Sequence, residues 1–202
     1  MEKKPLIQID EAPLDVWYEG PSVMAVKKPK GIKVHPREAS ENGTLLNRLF
    51  QHNRWLAEME TSRMAGVLHV FEQDDHGLML LNKNDDLQKD LTKALAENKV
   101  EFSYLVTIEG DHKIEVPSTE DFHLTLNSQK QSAGYTVVDL QATSGETQAV
   151  RDVLFPDLQG SETTFYCYQI TFTLPGSGEK HTVTLQDSSK EIPDIAVYHA
   201  PP

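Results

Sequence analysis

The sequence predicts an α+β domain with a large, mainly antiparallel mixed sheet and flanking helices. Three observations carry that expectation. Short runs of strand length recur from Asp15 to Gln186, separated by clusters of Gly, Ser, Asn and Asp. Two segments, near 44–59 and 84–98, space their apolar residues as an amphipathic helix does. A chain of 202 residues is also long enough to bury a sizeable core within one domain. A strand-rich second half following two helices gives α+β architecture.

Asp15–Tyr18 and Ser22–Lys27 read as a hairpin turned at Gly20-Pro21. Lys28-Pro29-Lys30-Gly31 imposes an irregular stretch, because proline fixes its own φ and disfavours helix before it, and glycine permits positive φ. Leu45, Leu46, Leu49, Phe50 and Leu56 predict a helix over 44–59. Ala65–His69 and Gly77–Lys83 are strand-length apolar runs on either side of the acidic loop Glu72-Gln73-Asp74-Asp75. Asn84 is placed to cap a helix reaching Asn98, with Leu87, Leu91 and Leu95 in one row. Strands are expected at Val100–Glu109, Phe122–Leu126, Tyr135–Gln141, Gln148–Leu154, Phe165–Leu174 and Lys180–Gln186. No repeat or linker divides the chain, so one domain is expected over 15–190, with tails at 1–14 and 191–202.

Composition removes several classes of function. No run approaches the roughly 20 apolar residues of a membrane helix, and Met1–Pro5 leads into no apolar signal segment, so a cytoplasmic address without membrane association is expected. The lone Cys167 excludes an internal disulfide and thiolate zinc sites. Nineteen basic residues against thirty-one acidic ones give a net charge of -12, which opposes loose binding to a phosphate backbone. Glu72, Asp74, Asp75, His69 and His76 lack the ligand spacing of a calcium loop, so the acidic segment reads as solvated loop and no metal is expected.

One ordered set of motifs is specific. Val26-Lys27-Lys28-Pro29-Lys30-Gly31-Ile32-Lys33-Val34-His35-Pro36 resembles "N-K-P-x-G-x-x-V-H". Gly66-Val67-Leu68-His69 and Gly77-Leu78-Met79-Leu80-Leu81-Asn82-Lys83 resemble the two ends of "G-I-V-H-R-L-D-x-x-T-S-G-L-L-L-V-A-K", without a gap between them. Tyr104-Leu105 with Glu109-Gly110 resembles "Y-L-A-L-V-x-G", and Gly178–Thr184 echoes "G-R-T-H-Q-I-R". Together these residues resemble the RluA-type RNA pseudouridine synthases, over about 15 to 110. The resemblance implies a pseudouridine synthase-like fold and isomerisation of a uridine in structured RNA, rRNA or tRNA. The glycosidic bond is broken, the uracil rotates and it rejoins through C5, with no metal or cofactor.

The resemblance puts Glu72 in the place of the catalytic aspartate and Tyr104 in that of the ring stacking on uracil. It puts Lys28, His35, His69, Lys83 and His181 on the substrate side of the site. Elsewhere the chain departs from the pattern. Glu72 extends its carboxylate by one methylene, and misplacing a reacting group by roughly 1 Å can cost about a hundredfold in rate. Val70 stands where the motif has arginine, Asp75-His76 replaces Thr-Ser, and the later arginines fall on Glu179 and Thr184. The expectation is therefore a family scaffold with impaired or lost catalysis. The alternative is a non-catalytic protein that uses the scaffold to bind a protein or small ligand.

Overall fold

A computed structural model describes residues 10–38, 40–53, 66–83, 85–156, 163–174 and 176–185. Its strands are β1 (Asp15–Glu19), β2 (Val23–Lys28), β3 (His76–Asn82), β4 (Glu101–Glu109), β5 (Leu124–Ser132), β6 (Tyr135–Ala142), β7 (Thr163–Thr173) and β8 (Lys180–Thr184). Its helices are α1 (Leu45–His52), α2 (Asp85–Ala96) and α3 (Thr147–Leu154). The strands form one sheet in the order β1-β2-β3-β7-β4-β6-β5, with β8 added to β7. Every pairing is antiparallel except β3 with β7, which is parallel through His76↔Tyr166 and Gly77↔Cys167. The fold is α+β, as the sequence predicts.

That short parallel contact depends on one glycine. Gly77 has φ +102°, and a Cβ there would lie 2.1 Å from the Cys167 carbonyl oxygen. No side chain fits, so Gly77 lets two backbones meet and fixes where β3 begins. β3 itself is buried along its whole length.

Helix α1 starts where Thr44, in extended backbone, accepts from the Asn47 N–H while the Asn47 side chain accepts from the Thr44 N–H at 2.9 Å. This reciprocal cap satisfies two donors that the first turn would otherwise orphan. Leu45, Leu46, Leu49 and Phe50 then face the core. The expected continuation over 54–59 lies outside the described residues, as do Ala65, the Asn84 cap and the tails at 1–9 and 191–202. Within the expected N-terminal tail, Asp10 is ion-paired to Arg48 on α1 at 3.4 Å.

Two strand expectations give way. Of the Ala65–His69 run, the described residues 66–69 form only a bridge, Val67 to Leu81. Gln148–Leu154 is helix α3, not strand. Val150 and Leu154 stand four apart and are both buried, with Ala149 and Val153 packed beside them. Packing of that face overrides the strand preference of its two valines.

Candidate active site

The acidic segment turns at the sheet surface before β3, and the Asp75 N–H donates to the Glu72 carbonyl at 3.2 Å. Lys28, at the end of β2, is fully buried and holds this turn from below. Its ammonium donates to the carbonyl oxygens of Asp75 (2.6 Å), Gln73 (2.9 Å) and Pro29 (3.3 Å). Burial pushes the ammonium down to about 8, opposed by the charges of Asp75, Asp74 and Glu72. Glu72 itself points to solvent; its N–H donates to Thr147 Oγ1, but among the described residues its carboxylate enters no hydrogen bond or ion pair.

The held carboxylate is Asp75. It is 1 % exposed and receives donors from two separate elements. Oδ1 accepts from Arg151 Nη2 at 3.0 Å and from the Phe165 N–H of β7 at 2.9 Å. Oδ2 accepts from Thr147 Oγ1 at 2.6 Å and from the same Nη2 at 3.1 Å. The guanidinium is oriented by other contacts as well. Nε donates to Thr163 Oγ1 at 2.7 Å, Nη1 donates to Gln148 Oε1 at 3.1 Å, and the group lies 4.8 Å from the Phe165 ring centroid. An arginine with every nitrogen engaged presents a fixed fork to its anion.

Tyr104 lies beneath this group with no exposed surface. Its ring meets Phe165 edge-on at 5.6 Å and stacks on Phe102 at 6.1 Å, and its hydroxyl donates to the Ser144 carbonyl at 3.2 Å. Burial drives the phenol well above its ordinary range, with Cys167 and Asp75 adding to the effect. His69 is equally enclosed. Its Nε2 accepts from the Leu80 N–H at 2.9 Å, which leaves Nδ1 to donate to the Gly145 carbonyl at 3.2 Å. Burial pushes the imidazole down to about 4, only partly offset by Gly145. His69 is thus a neutral brace between β3 and the loop before α3, and Gly145 must lack a side chain because a Cβ would lie 2.6 Å from the His69 ring.

The other expected site residues are spread over the sheet. His35 is half-buried with Nε2 unpartnered, and burial lowers its pKa. Lys83 pairs with Glu19 at 2.8 Å, and His181 on β8 lies between the rings of Tyr18 and Phe172. None of these three shares a hydrogen bond, ion pair or ring contact with Glu72, Asp75, Arg151 or Tyr104. Glu146, ahead of α3, stands near Glu72; burial raises its carboxyl, the Val70 N–H donating to it lowers it, and the Glu72 charge raises it further. Among the described residues no three His, Cys, Asp or Glu side chains are grouped to hold a metal.

A family model described as RNA pseudouridylate synthase matches residues 22–170. The chain belongs to the RNA pseudouridylate synthase family. Among curated relatives, the uncharacterized RNA pseudouridine synthase YlyB of Bacillus subtilis strain 168 is 28% identical over 158 residues, covering 68% of this chain and 52% of that protein. The ribosomal large subunit pseudouridine synthase D of Neisseria meningitidis serogroup B is 35% identical over 114 residues, 54% of this chain and 30% of that one. The chain therefore spans about half the length, or less, of these relatives. The solved human RNA pseudouridylate synthase domain containing 1 shares the fold at TM-score 0.53 and 15% identity, over 93% of this chain and 86% of that one.

Within the pseudouridylate synthase pattern, the geometry draws attention to a second segment for the later motif. Gly145-Glu146-Thr147-Gln148-Ala149-Val150-Arg151 matches "G-R-T-H-Q-I-R" at Gly145, Thr147 and Arg151, whereas Gly178–Thr184 matches at Gly178 and His181. The first of these segments lies at the 72–75 loop through Arg151 and Thr147. The signal was present in the sequence as spacing. Its valines, Val150 and Val153, suit a strand as well as a helix.

Proposed function

We propose that this member of the pseudouridylate synthase family has an impaired or lost isomerase reaction. One observation carries the reading: the arginine beside the site is engaged by Asp75, while Glu72, in the nucleophile position, projects into solvent with its carboxylate in no ion pair or hydrogen bond among the described residues. Cleavage and re-formation of a glycosidic bond need a carboxylate fixed against the sugar, and fixing it requires donors of the kind that Asp75 receives. An unheld glutamate, one methylene longer than aspartate, samples many positions and pays that ordering cost at each turnover. Tyr104, sealed under Phe71, Phe102 and Phe165, presents no ring face to a base in this conformation.

The test is incubation of the protein with unmodified ribosomal and transfer RNA, followed by chemical mapping of pseudouridine. No new pseudouridine is expected. Label that appears with the native chain and disappears in Glu72→Gln would overturn the reading. The same acidic surroundings, with Asp74 and Glu72 exposed and the chain at -12, support the alternative in which the scaffold binds a protein partner instead of bare RNA. A cytoplasmic setting accompanies both readings. No helix among the described residues is long and apolar enough to cross a membrane.

A further inference from the structure

Next to the acidic loop, the end of α2, the approach to β5 and the turn into α3 line a surface cleft of about 160 Å³. Leu68, Leu95 and Phe122 give it apolar surface, and Asp121 and Glu146 are its acids. Among the described residues no Lys or Arg lines it. Lys93 and Lys99, which flank the contribution of α2 in sequence, pair with Glu97 instead. The other polar groups of the wall are largely spent on one another. Asn98 donates to the Asp121 carbonyl at 3.3 Å and accepts from the Thr143 hydroxyl at 2.8 Å, and both His69 nitrogens are engaged.

The two carboxylates are the exception. Among the described residues that of Asp121 enters no hydrogen bond or ion pair, and that of Glu146 takes only the Val70 N–H, at 3.2 Å. Glu146 is the N-cap residue of α3, yet its side chain does not cap the helix. Aligned at Gly145, Thr147 and Arg151, Glu146 stands where the motif has arginine, as Val70 does in the earlier motif. The charge offered to a ligand beside this loop is therefore reversed. What the cleft lacks is a cation with several donors and an apolar stem. An arginine side chain supplies both, since its methylenes cover apolar surface and its planar fork serves two carboxylates at less cost in hydration than an ammonium. A cavity of about 150 Å³ holds a group the size of benzene, whereas pockets that enclose a whole small molecule start at about 300 Å³. The cleft has room for one side chain, with its owner outside.

We propose that this cleft receives an arginine side chain presented by a basic protein partner. The proposal rests on the reading in which the scaffold binds a protein instead of bare RNA, and it names the chemistry that holds the partner. Burial raises the Glu146 carboxyl against the Val70 N–H, and the Glu72 charge raises it further. A guanidinium arriving there relieves that repulsion and offsets the desolvation.

The experiment titrates the isotope-labelled full chain with the blocked peptide acetyl-Gly-Ser-Arg-Ser-Gly-amide and follows the amide resonances by NMR. Its citrulline counterpart keeps the shape and loses the charge. The resonances of Leu95, Asn98, Gly145 and Glu146 should shift saturably with the arginine peptide, and the citrulline peptide should bind at least tenfold more weakly. Glu146→Gln should weaken the arginine peptide at least fivefold. Asp74→Asn, which removes the same charge from an exposed position on the neighbouring loop, should weaken it less than twofold. Absence of saturable shifts, equal losses from the two variants, or equal affinity for the two peptides would overturn the proposal. Tighter binding of spermidine than of the arginine peptide would give the cleft to a free amine, and an RNA hairpin shifting the same amides would give it to RNA; either result refutes the proposal. New pseudouridine made by the native chain counts against the impaired-synthase reading alone, because the titration reports on the cleft whatever the catalytic outcome.

Discussion

At the scale of single residues, Asp75 and Arg151 dominate the site. A buried carboxylate that loses its cation keeps its desolvation cost without the compensating attraction, a change typically worth about 3 to 5 kcal/mol. Arg151→Met should therefore lower stability by about 3 kcal/mol in urea denaturation, the Thr147 and Phe165 donors limiting the damage. A loss below about 1 kcal/mol would show that the pair is not buried as described. The sequence made Glu72 visible because His69 and Gly77 frame its position. It did not mark Asp75 as the held carboxylate, since the side chain that receives Arg151 is decided by the path of a four-residue turn. That turn is set by the Gln73 and Asp75 carbonyls gathered on Lys28, contacts of 45 and 47 residues' separation.

At the scale of elements, the two helices with clear periodicity and most strands were legible from spacing alone. Helix α3 was not. Its Val150, Val153 and Leu154 suit a strand as well as a helix over eight residues, and no side-chain cap marks its start. The choice is made by the groove that receives Val150 and Leu154. Helix α1 is the opposite case, with a cap written into Thr44 and Asn47, and Thr44→Ala should cost about 1 kcal/mol in thermal or urea unfolding. Gly77→Ala should do far more. With positive φ and a carbonyl 2.1 Å from the new Cβ, it forces β3 and β7 apart, and circular dichroism should find no cooperative unfolding transition in the variant where the native chain is expected to have one.

At the scale of the whole molecule, the enclosed histidines tie stability to pH. His69 and His76 are both lowered to about 4, in each case chiefly by burial. The unfolded chain binds these protons below about 6.5 while the folded chain refuses them until about 4, so stability is complete above 6.5 and is lost as pH falls through that window. For His69 alone the loss amounts to roughly 3 kcal/mol by pH 4. Urea midpoints measured from pH 7 to 4.5 should fall steadily, and His69→Gln should flatten the slope even though it lowers stability at pH 7. An unchanged slope in that variant would mean that the ring is not enclosed.

By itself the sequence determined the family, the α+β class and the identity of most elements, because motif order, apolar period and turn residues are local and survive without coordinates. It also determined that Glu72 stands where an aspartate is expected. Only the tertiary structure decided which carboxylate Arg151 holds, that Lys28 serves three carbonyls, and that Tyr104 and His69 are sealed. Those outcomes depend on residues 40 to 90 positions apart meeting in one buried place, where the cost of leaving a charge or donor unpaired selects the partners.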